Sequence, residues 1–301
     1  MKLPNNSSHL LRFSRFASAP AAAEPEEIAA TTAICAAARS RLLAVPGDPF
    51  LDACWEPAVF FHYRIDPEVL RPILPKIFEL ELHEGRAALS LAAVRMTKFR
   101  ARRICSTALV FQCLGEQRFL NLRLYGKCHG EPGAFFLHGW LSRPRALPMR
   151  SGVLGLSYTI AQLRYEHDGE AVSGVVKRKS GGPGFSYRAF CVSDQKYQTC
   201  SSGSLAEFAM ERYTGFVLRR GHPCVFRVWH PPWLQIPVKG AIDDCSLVTE
   251  KFPWFSRAEF AGANLTATIN DVWMGNAHRL RDCGGAGQGR DSMRSAFLDM
   301  P

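Results

Sequence analysis

Asn121, Arg123 and Tyr125 stand two residues apart in the segment Phe119-Leu-Asn-Leu-Arg-Leu-Tyr-Gly-Lys127, placing an amide, a cation and a phenol in a row. On an extended strand alternate side chains point to opposite faces. These three therefore share a face with Lys127, and Leu120, Leu122 and Leu124 share the other. A guanidinium matches a carboxylate through two parallel N–H donors, which an ammonium cannot do. An amide and a phenol beside it would orient the rest of a small acid, provided that the face lines a pocket. The alternative is a solvent-facing arginine on an outer strand.

Other residues could serve the same pocket, each with a plainer structural role beside it. His62 sits among Phe60, Phe61 and Tyr63, either as an acid–base group or as a hydrogen-bonded core histidine. His230 precedes Pro231-Pro232-Trp233, where the proline pair fixes an extended bend. That bend would aim His230 and Trp233 into a cavity mouth, or simply close a sheet edge. His138 and Trp140 alternate on one strand as pocket lining or as core. Arg95 shares parity with Leu89 and Leu91, which favours a partly buried ion pair over ligand contact. Glu211 lies one helical turn beyond Glu207, and it becomes a general acid or base only if burial raises its pKa.

Composition excludes several classes of function. The 301 residues are 47% hydrophobic and 21% charged, as in an ordinary globular protein. No apolar run reaches the 18 or more residues of a membrane span. The formal net charge of +10 is scattered, with no long basic run interleaved with aromatics, which argues against nucleic acid as a partner. A small molecule is the expected partner, and a homo-oligomer stays open. Ten cysteines include no Cys-x-x-Cys pair, and there is no His-Glu-x-x-His helix, so no metal is expected. The cysteines read as small buried hydrophobes of a reducing compartment. Gly181-Gly-Pro-Gly184 lacks the lysine of a phosphate loop and reads as a turn, and no cofactor is implied.

The elements that position these residues are short strands. Cys54–Ile65 reads as one strand, with Asp66-Pro67 starting a short helix Glu68–Leu74. Phe78–Leu82 and Ala87–Met96 flank a turn at His83–Arg86, and the Asn121 strand turns at Gly130–Gly133 to return as Ala134–Leu141. Arg143–Leu154 reads as a short helix or irregular link. Tyr158–Tyr165 and Ala171–Lys179 flank His167-Asp-Gly169, and Phe185–Val192 follows. Ser204 caps a helix Leu205–Tyr213, with Glu207 at the capping-box position. Strand-like pieces recur at Pro223–Trp229 and Asn264–Trp273. The pattern predicts an α+β domain over 46–278, mostly antiparallel with a few short helices, and a sheet of this size curled into a cone or barrel would have room for a central cavity. Residues 1–45 are expected to be a disordered or transit-peptide-like extension, because no acid precedes Glu24. Residues 279–301 read as a disordered Gly-rich tail. The expected location is cytoplasmic, or mitochondrial or plastid if residues 1–23 are a transit peptide.

Phe60-Phe-His-Tyr-Arg-Ile-Asp-Pro-Glu-Val-Leu-Arg-Pro-Ile-Leu-Pro75 resembles the opening of the YqjF-like family of uncharacterised proteins. Gly85-Arg86-Ala87, Val94-Arg-Met96, Asn121-Leu-Arg-Leu-Tyr125, Gly203-Ser-Leu-Ala-Glu-Phe208, Glu211-Arg-Tyr213 and His230-Pro-Pro-Trp233 extend the similarity in order, from Trp55 to Trp273. The resemblance implies the acetoacetate decarboxylase-like fold, a mostly antiparallel sheet curled around a ligand-sized cavity, and no established reaction. The decarboxylase of that superfamily works through a lysine Schiff base. The matching segment here, Gly155-Leu-Ser-Tyr-Thr159, has no amine and places Tyr158 near the missing lysine. Phe119 also replaces an acid that relatives carry before the Asn121 strand. The expectation is a small, acidic or oxygenated metabolite held by Asn121, Arg123 and Tyr125, with Arg95, His138, His230 and Trp233 as further contacts. His62, Glu211 and Tyr158 are the acid–base candidates of an alternative, lysine-independent hydratase, isomerase or hydrolase. A non-catalytic basic interaction module is the third alternative.

Overall fold

The structure is a computed structural model describing residues 49–101, 115–142, 156–167, 169, 171–191 and 195–280. The extension 1–45, the link Arg143–Leu154, Gly155 and the tail beyond Leu280 lie outside the described residues. Seventeen strands belong to one mostly antiparallel sheet. They begin with β1 (Pro49–Trp55), β2 (Val59–Ile65), β3 (Phe78–Leu80), β4 (Leu82–His83) and the long β5 (Arg86–Ala101). The hairpin of β6 (Gln117–Cys128) and β7 (Glu131–Leu141) follows, then β8 (Tyr158–Ile160), β9 (Gln162–Glu166), β10 (Ala171–Lys177) and β11 (Gly184–Cys191). The last are β12 (Thr214–Arg219), β13 (His222–Trp229), β14 (Gln235–Asp244), β15 (Glu259–Thr266), β16 (Ile269–Gly275) and β17 (His278–Arg279). Among the described residues three short α-helices punctuate them: α1 (Pro67–Leu70), α2 (Leu205–Met210) and α3 (Ser246–Lys251).

Local chemistry explains the helix starts. The Asp66 side chain accepts from the Glu68 N–H at 2.9 Å, and Pro67 occupies the first turn of α1. Ser204 Oγ accepts from the Glu207 N–H, while the Glu207 carboxylate reaches back to the Gly203 N–H at 2.6 Å. Both helices stop earlier than their apolar patterns suggest. Pro72 ends α1 in a 3-10 turn, and α2 stops at Met210 because Glu211 turns away to other partners.

Several expected elements differ in the structure. Cys54–Ile65 is two strands, since Pro57 has no N–H and the chain breaks at Glu56–Ala58. β1 pairs with β16 and the far end of β5, whereas β2 pairs with the near end of β5 and with β15. The β6–β7 turn is His129-Gly130, both at positive φ, rather than Gly130–Gly133. Phe78–Leu82 does not form a simple hairpin: β3 pairs with β6 and only β4 pairs with β5. Asn264–Trp273 also divides, into the end of β15 and the start of β16.

The ladders run in a circuit: β1 to β5, β6, β7, β12, β13, β16 and back to β1. A second wing, β2–β15–β14–β11–β10–β9, leaves from the near half of β5. The Ala87–Val94 half of β5 is thus buried on both faces, as its nearly continuous apolar sequence requires, whereas β6 alternates buried leucines with the half-buried Asn121 and Arg123. Leu89, Leu91, Leu120, Leu122 and Leu124 join the core under the wing. Ala92, Val94, Met96 and Phe119 join a separate core inside the circuit. No helix among the described residues is long and apolar enough to cross a membrane. The six described cysteines are free thiols.

Candidate functional site

Inside the circuit lies a cavity of about 70 Å³. Asn121 and Arg123 of β6 line it, among Trp55, Phe60, Met96, Phe119, Phe136, Tyr158 and further apolar side chains. The polar face of β6 therefore looks inward. A bulge between Leu122 and Arg123 shifts the register against β7, so that Asn121 opposes Gly139 and Arg123 opposes Phe136. The Arg123 guanidinium lies over the Phe60 ring, 4.8 Å from its centroid, and Trp233 packs edge-on against Phe60 from another side. Arg123 Nε and Nη2 are buried and have no hydrogen-bond partner among the described residues. They form the side-on edge with which a guanidinium grips a carboxylate. Asn121 Oδ1 and Trp55 Nε1 are likewise buried without a partner among those residues.

Directly beside Arg123 a buried polar chain crosses five neighbouring strands. The Tyr125 hydroxyl donates to Ser90 Oγ at 2.7 Å, and Ser90 meets His62 Nδ1 at 2.9 Å. His62 Nε2 meets Asn264 Oδ1 at 3.1 Å, and Asn264 Nδ2 donates to Gln235 Oε1 at 2.5 Å. With Oδ1 of Asn264 as acceptor, Nε2 of His62 carries the hydrogen and Nδ1 accepts from Ser90. Every member spends its neighbour-facing atoms, so the chain locks β6, β5, β2, β15 and β14 in register. Burial, and secondarily the Arg123 charge, drive the His62 pKa from 6.5 down to about 3. His62 is therefore neutral at physiological pH and a poor base. Tyr125 shares the strand face of Arg123 yet is fully buried in this chain, outside the cavity lining.

Glu211 lies outside the cavity lining and ties together the segment behind Trp55 and Phe60. One oxygen accepts the Trp233 backbone N–H at 2.8 Å and the other accepts the Tyr213 hydroxyl at 2.9 Å. Trp233 Nε1 donates to the Met210 carbonyl. The proline pair thus folds His230 and Trp233 against Trp55, with ring centroids 5.7 and 5.3 Å from it. His230 donates from Nδ1 to the Pro231 carbonyl, and burial lowers its pKa against the opposing pull of Glu211. His62, His230, Trp233 and Glu211 all lie outside the cavity lining, as bonded structural groups rather than ligand contacts.

His138 and Arg95 lie elsewhere. His138 is held by Thr159 and Ser157 and packs on Trp140 and Phe252, away from the cavity lining. Arg95 projects to the face opposite Val94 and Met96 and approaches Glu56 at 4.0 Å. Tyr158 does line the cavity, and burial raises its pKa above the ordinary phenol range. Its ring fits because position 139 has no side chain. A Cβ on Gly139 would stand 2.2 Å from Tyr158 Cε1 and 2.8 Å from Asn121 Oδ1. Gly139→Ala is accordingly expected to cost about 1–3 kcal/mol by overpacking. Adding Tyr158→Leu should return part of that loss, and additive thermal-unfolding costs would contradict the contact. Ser90, Asn264, Gln235 and Trp55 carried no local signal in the sequence. Their roles come from strand pairing between distant segments. Among the described residues no group of three or more His, Cys, Asp or Glu could hold a metal ion.

The family model DUF2071, described as uncharacterized conserved protein, matches residues 52–258. The uncharacterized protein YqjF of Bacillus subtilis (strain 168) is 28% identical over 182 residues, 60% of this chain and 72% of that protein. An acetoacetate decarboxylase-like enzyme from Sphingomonas wittichii RW1 superposes with a TM-score of 0.53 at 16% identity, over 78% of this chain and 94% of the other. Acetoacetate decarboxylase from Legionella pneumophila gives 0.55 at 14% identity, over 80% and 94%. The enduracididine biosynthesis enzyme MppR, complexed with pyruvate, gives 0.55 at 14% identity, over 80% and 93%. At such identities the likeness is one of fold, and the mostly antiparallel acetoacetate decarboxylase-like architecture read from the sequence is the one observed.

Proposed function

The chain belongs to the DUF2071 family, and from that premise we propose that it binds a small carboxylic acid in the cavity lined by Arg123 and Asn121. The observation that carries this is the Nε–Nη2 edge of Arg123, buried with no partner among the described residues. An uncompensated buried cation is costly, and a carboxylate entering the adjoining space relieves it with two charge-assisted hydrogen bonds. The cavity of about 70 Å³ is roughly twice the ~30 Å³ that one water takes up in the liquid. That is the size of a two- to four-carbon acid, and pyruvate, named with one fold neighbour, is of this kind. The aromatic and aliphatic remainder of the lining suits a short alkyl chain.

Binding is favoured over turnover. Both oxygens of Glu211 are engaged, and His62 and His230 are held neutral. The segment Gly155–Thr159 offers no lysine for Schiff-base chemistry. A thermal-shift series with formate, acetate, propionate and pyruvate tests the proposal. At saturating acid the wild type should gain stability and Arg123→Ala should not. Equal shifts in both proteins would remove Arg123 from the site.

A further inference from the structure

We infer that the acid carries a hydroxyl on the carbon next to its carboxylate or one further along, and that Asn121 selects for it. This rests on the acid-binding reading above and adds the chemical class. Four polar atoms of the cavity's lining residues are buried without partners among the described residues: Arg123 Nε and Nη2, Trp55 Nε1 and Asn121 Oδ1. Three are donors. A carboxylate, with two oxygens and about four lone-pair sites, can satisfy all three. The fourth is an acceptor, which a plain carboxylate cannot satisfy and would oppose. Only a ligand that brings its own donor completes the set.

Asn121 and Arg123 are two residues apart on one face of β6, so their side chains emerge about 6–7 Å apart. A ligand spanning them needs its donor within one or two carbons of the carboxylate. The surrounding groups leave little else for Asn121 to bond. Gly139 opposes it across the ladder, and the Tyr158 ring covers Gly139. Phe119 and Phe136 supply only apolar surface to the same space. An amine would also donate, but it would carry a positive charge into a cavity that already holds the Arg123 guanidinium. A hydroxyl donates without that charge. An oxo group in its place would turn lone pairs toward Asn121 Oδ1, so hydroxy acids should be preferred over oxo acids of the same length.

Calorimetric titration of lactate, propionate and pyruvate into the wild type and into Asn121→Leu separates the possibilities. For the wild type, lactate should bind roughly tenfold or more tightly than either of the others. In Asn121→Leu lactate and propionate should bind alike, with propionate affinity kept. Lactate and propionate binding equally to the wild type, or pyruvate binding more tightly than lactate, would overturn the hydroxyl assignment and leave acid binding intact. Failure of all three acids to bind the wild type would overturn both. If Asn121→Leu does not fold, the ranking of the three acids on the wild type decides alone.

Discussion

Acidification should begin to destabilise this protein before its carboxylates are neutralised, with His62 as the main cause. The folded pKa of His62, about 3, lies far below its ordinary 6.5. Between those values the unfolded chain binds a proton that the folded chain refuses, so stability rises with pH across that interval and falls as pH drops. Above 6.5 the contribution is complete. At about 1.4 kcal/mol per pH unit, full descent through the interval removes roughly 4–5 kcal/mol. That is comparable with the entire stability of many domains, about 5–15 kcal/mol. The physical source is the closed hydrogen-bond chain from Tyr125 to Gln235, in which an imidazolium would lose its acceptor role toward Ser90 and face the Arg123 charge. Urea unfolding between about pH 4 and pH 8 checks this. His62→Gln should be about 1–3 kcal/mol less stable at neutral pH and should lose most of the acid-side slope. The buried His230 shifts in the same direction and accounts for what slope is left. Parallel pH profiles for wild type and variant would mean that His62 takes up its proton without resistance.

Arg123→Met should separate stability from binding. In the absence of any carboxylic acid, removing this half-buried cation, whose buried Nε and Nη2 have no partner among the described residues, should leave the fold unchanged or stabilise it by up to about 3 kcal/mol. The lost stacking on Phe60 offsets part of that gain, about 0.5–2 kcal/mol. With a short acid present the order should reverse. Wild type gains by mass action while the variant loses about 2–5 kcal/mol of binding, a 30-fold or greater drop in affinity. Melting in a carboxylate-free buffer, repeated with saturating lactate, measures both halves. A variant markedly less stable than wild type without ligand would show that Arg123 is already satisfied within the fold, and the case for a bound acid would fall with it. This pattern, in which a binding group costs stability until its ligand arrives, is the usual mark of a functional position.

Much of the site's composition was legible before any coordinates. A period of two in Phe119–Lys127 is a local property of extended backbone, so Asn121 and Arg123 had to share a face, and the leucines had to share the other. Capping at Asp66 and Ser204 is equally local, and both helices start where those residues stand. Strand breaks were less legible. Pro57 splits one apolar run into two strands with different partners, which a propensity count cannot anticipate. The same period of two placed Tyr125 with Arg123, yet their fates differ: one lines the cavity and the other is consumed by Ser90. For His62 the sequence offered both an acid–base group and a hydrogen-bonded core histidine, and only partners 28 and 202 residues away, Ser90 and Asn264, decide for the second.

The chain's order of residues, by itself, determined which side chains travel together on each strand, because alternation is imposed by the backbone and needs no distant contact. Only the tertiary structure decided which face encloses space, which polar groups find partners and which are left waiting. Those outcomes follow from ladders between remote segments, β1 with β16 and β7 with β12, that close the circuit around Arg123. Hydrogen-bond satisfaction and desolvation are properties of that enclosure rather than of any one segment, and they made His62 a buried neutral strut and left the Nε–Nη2 edge of Arg123 without a hydrogen-bond partner among the described residues.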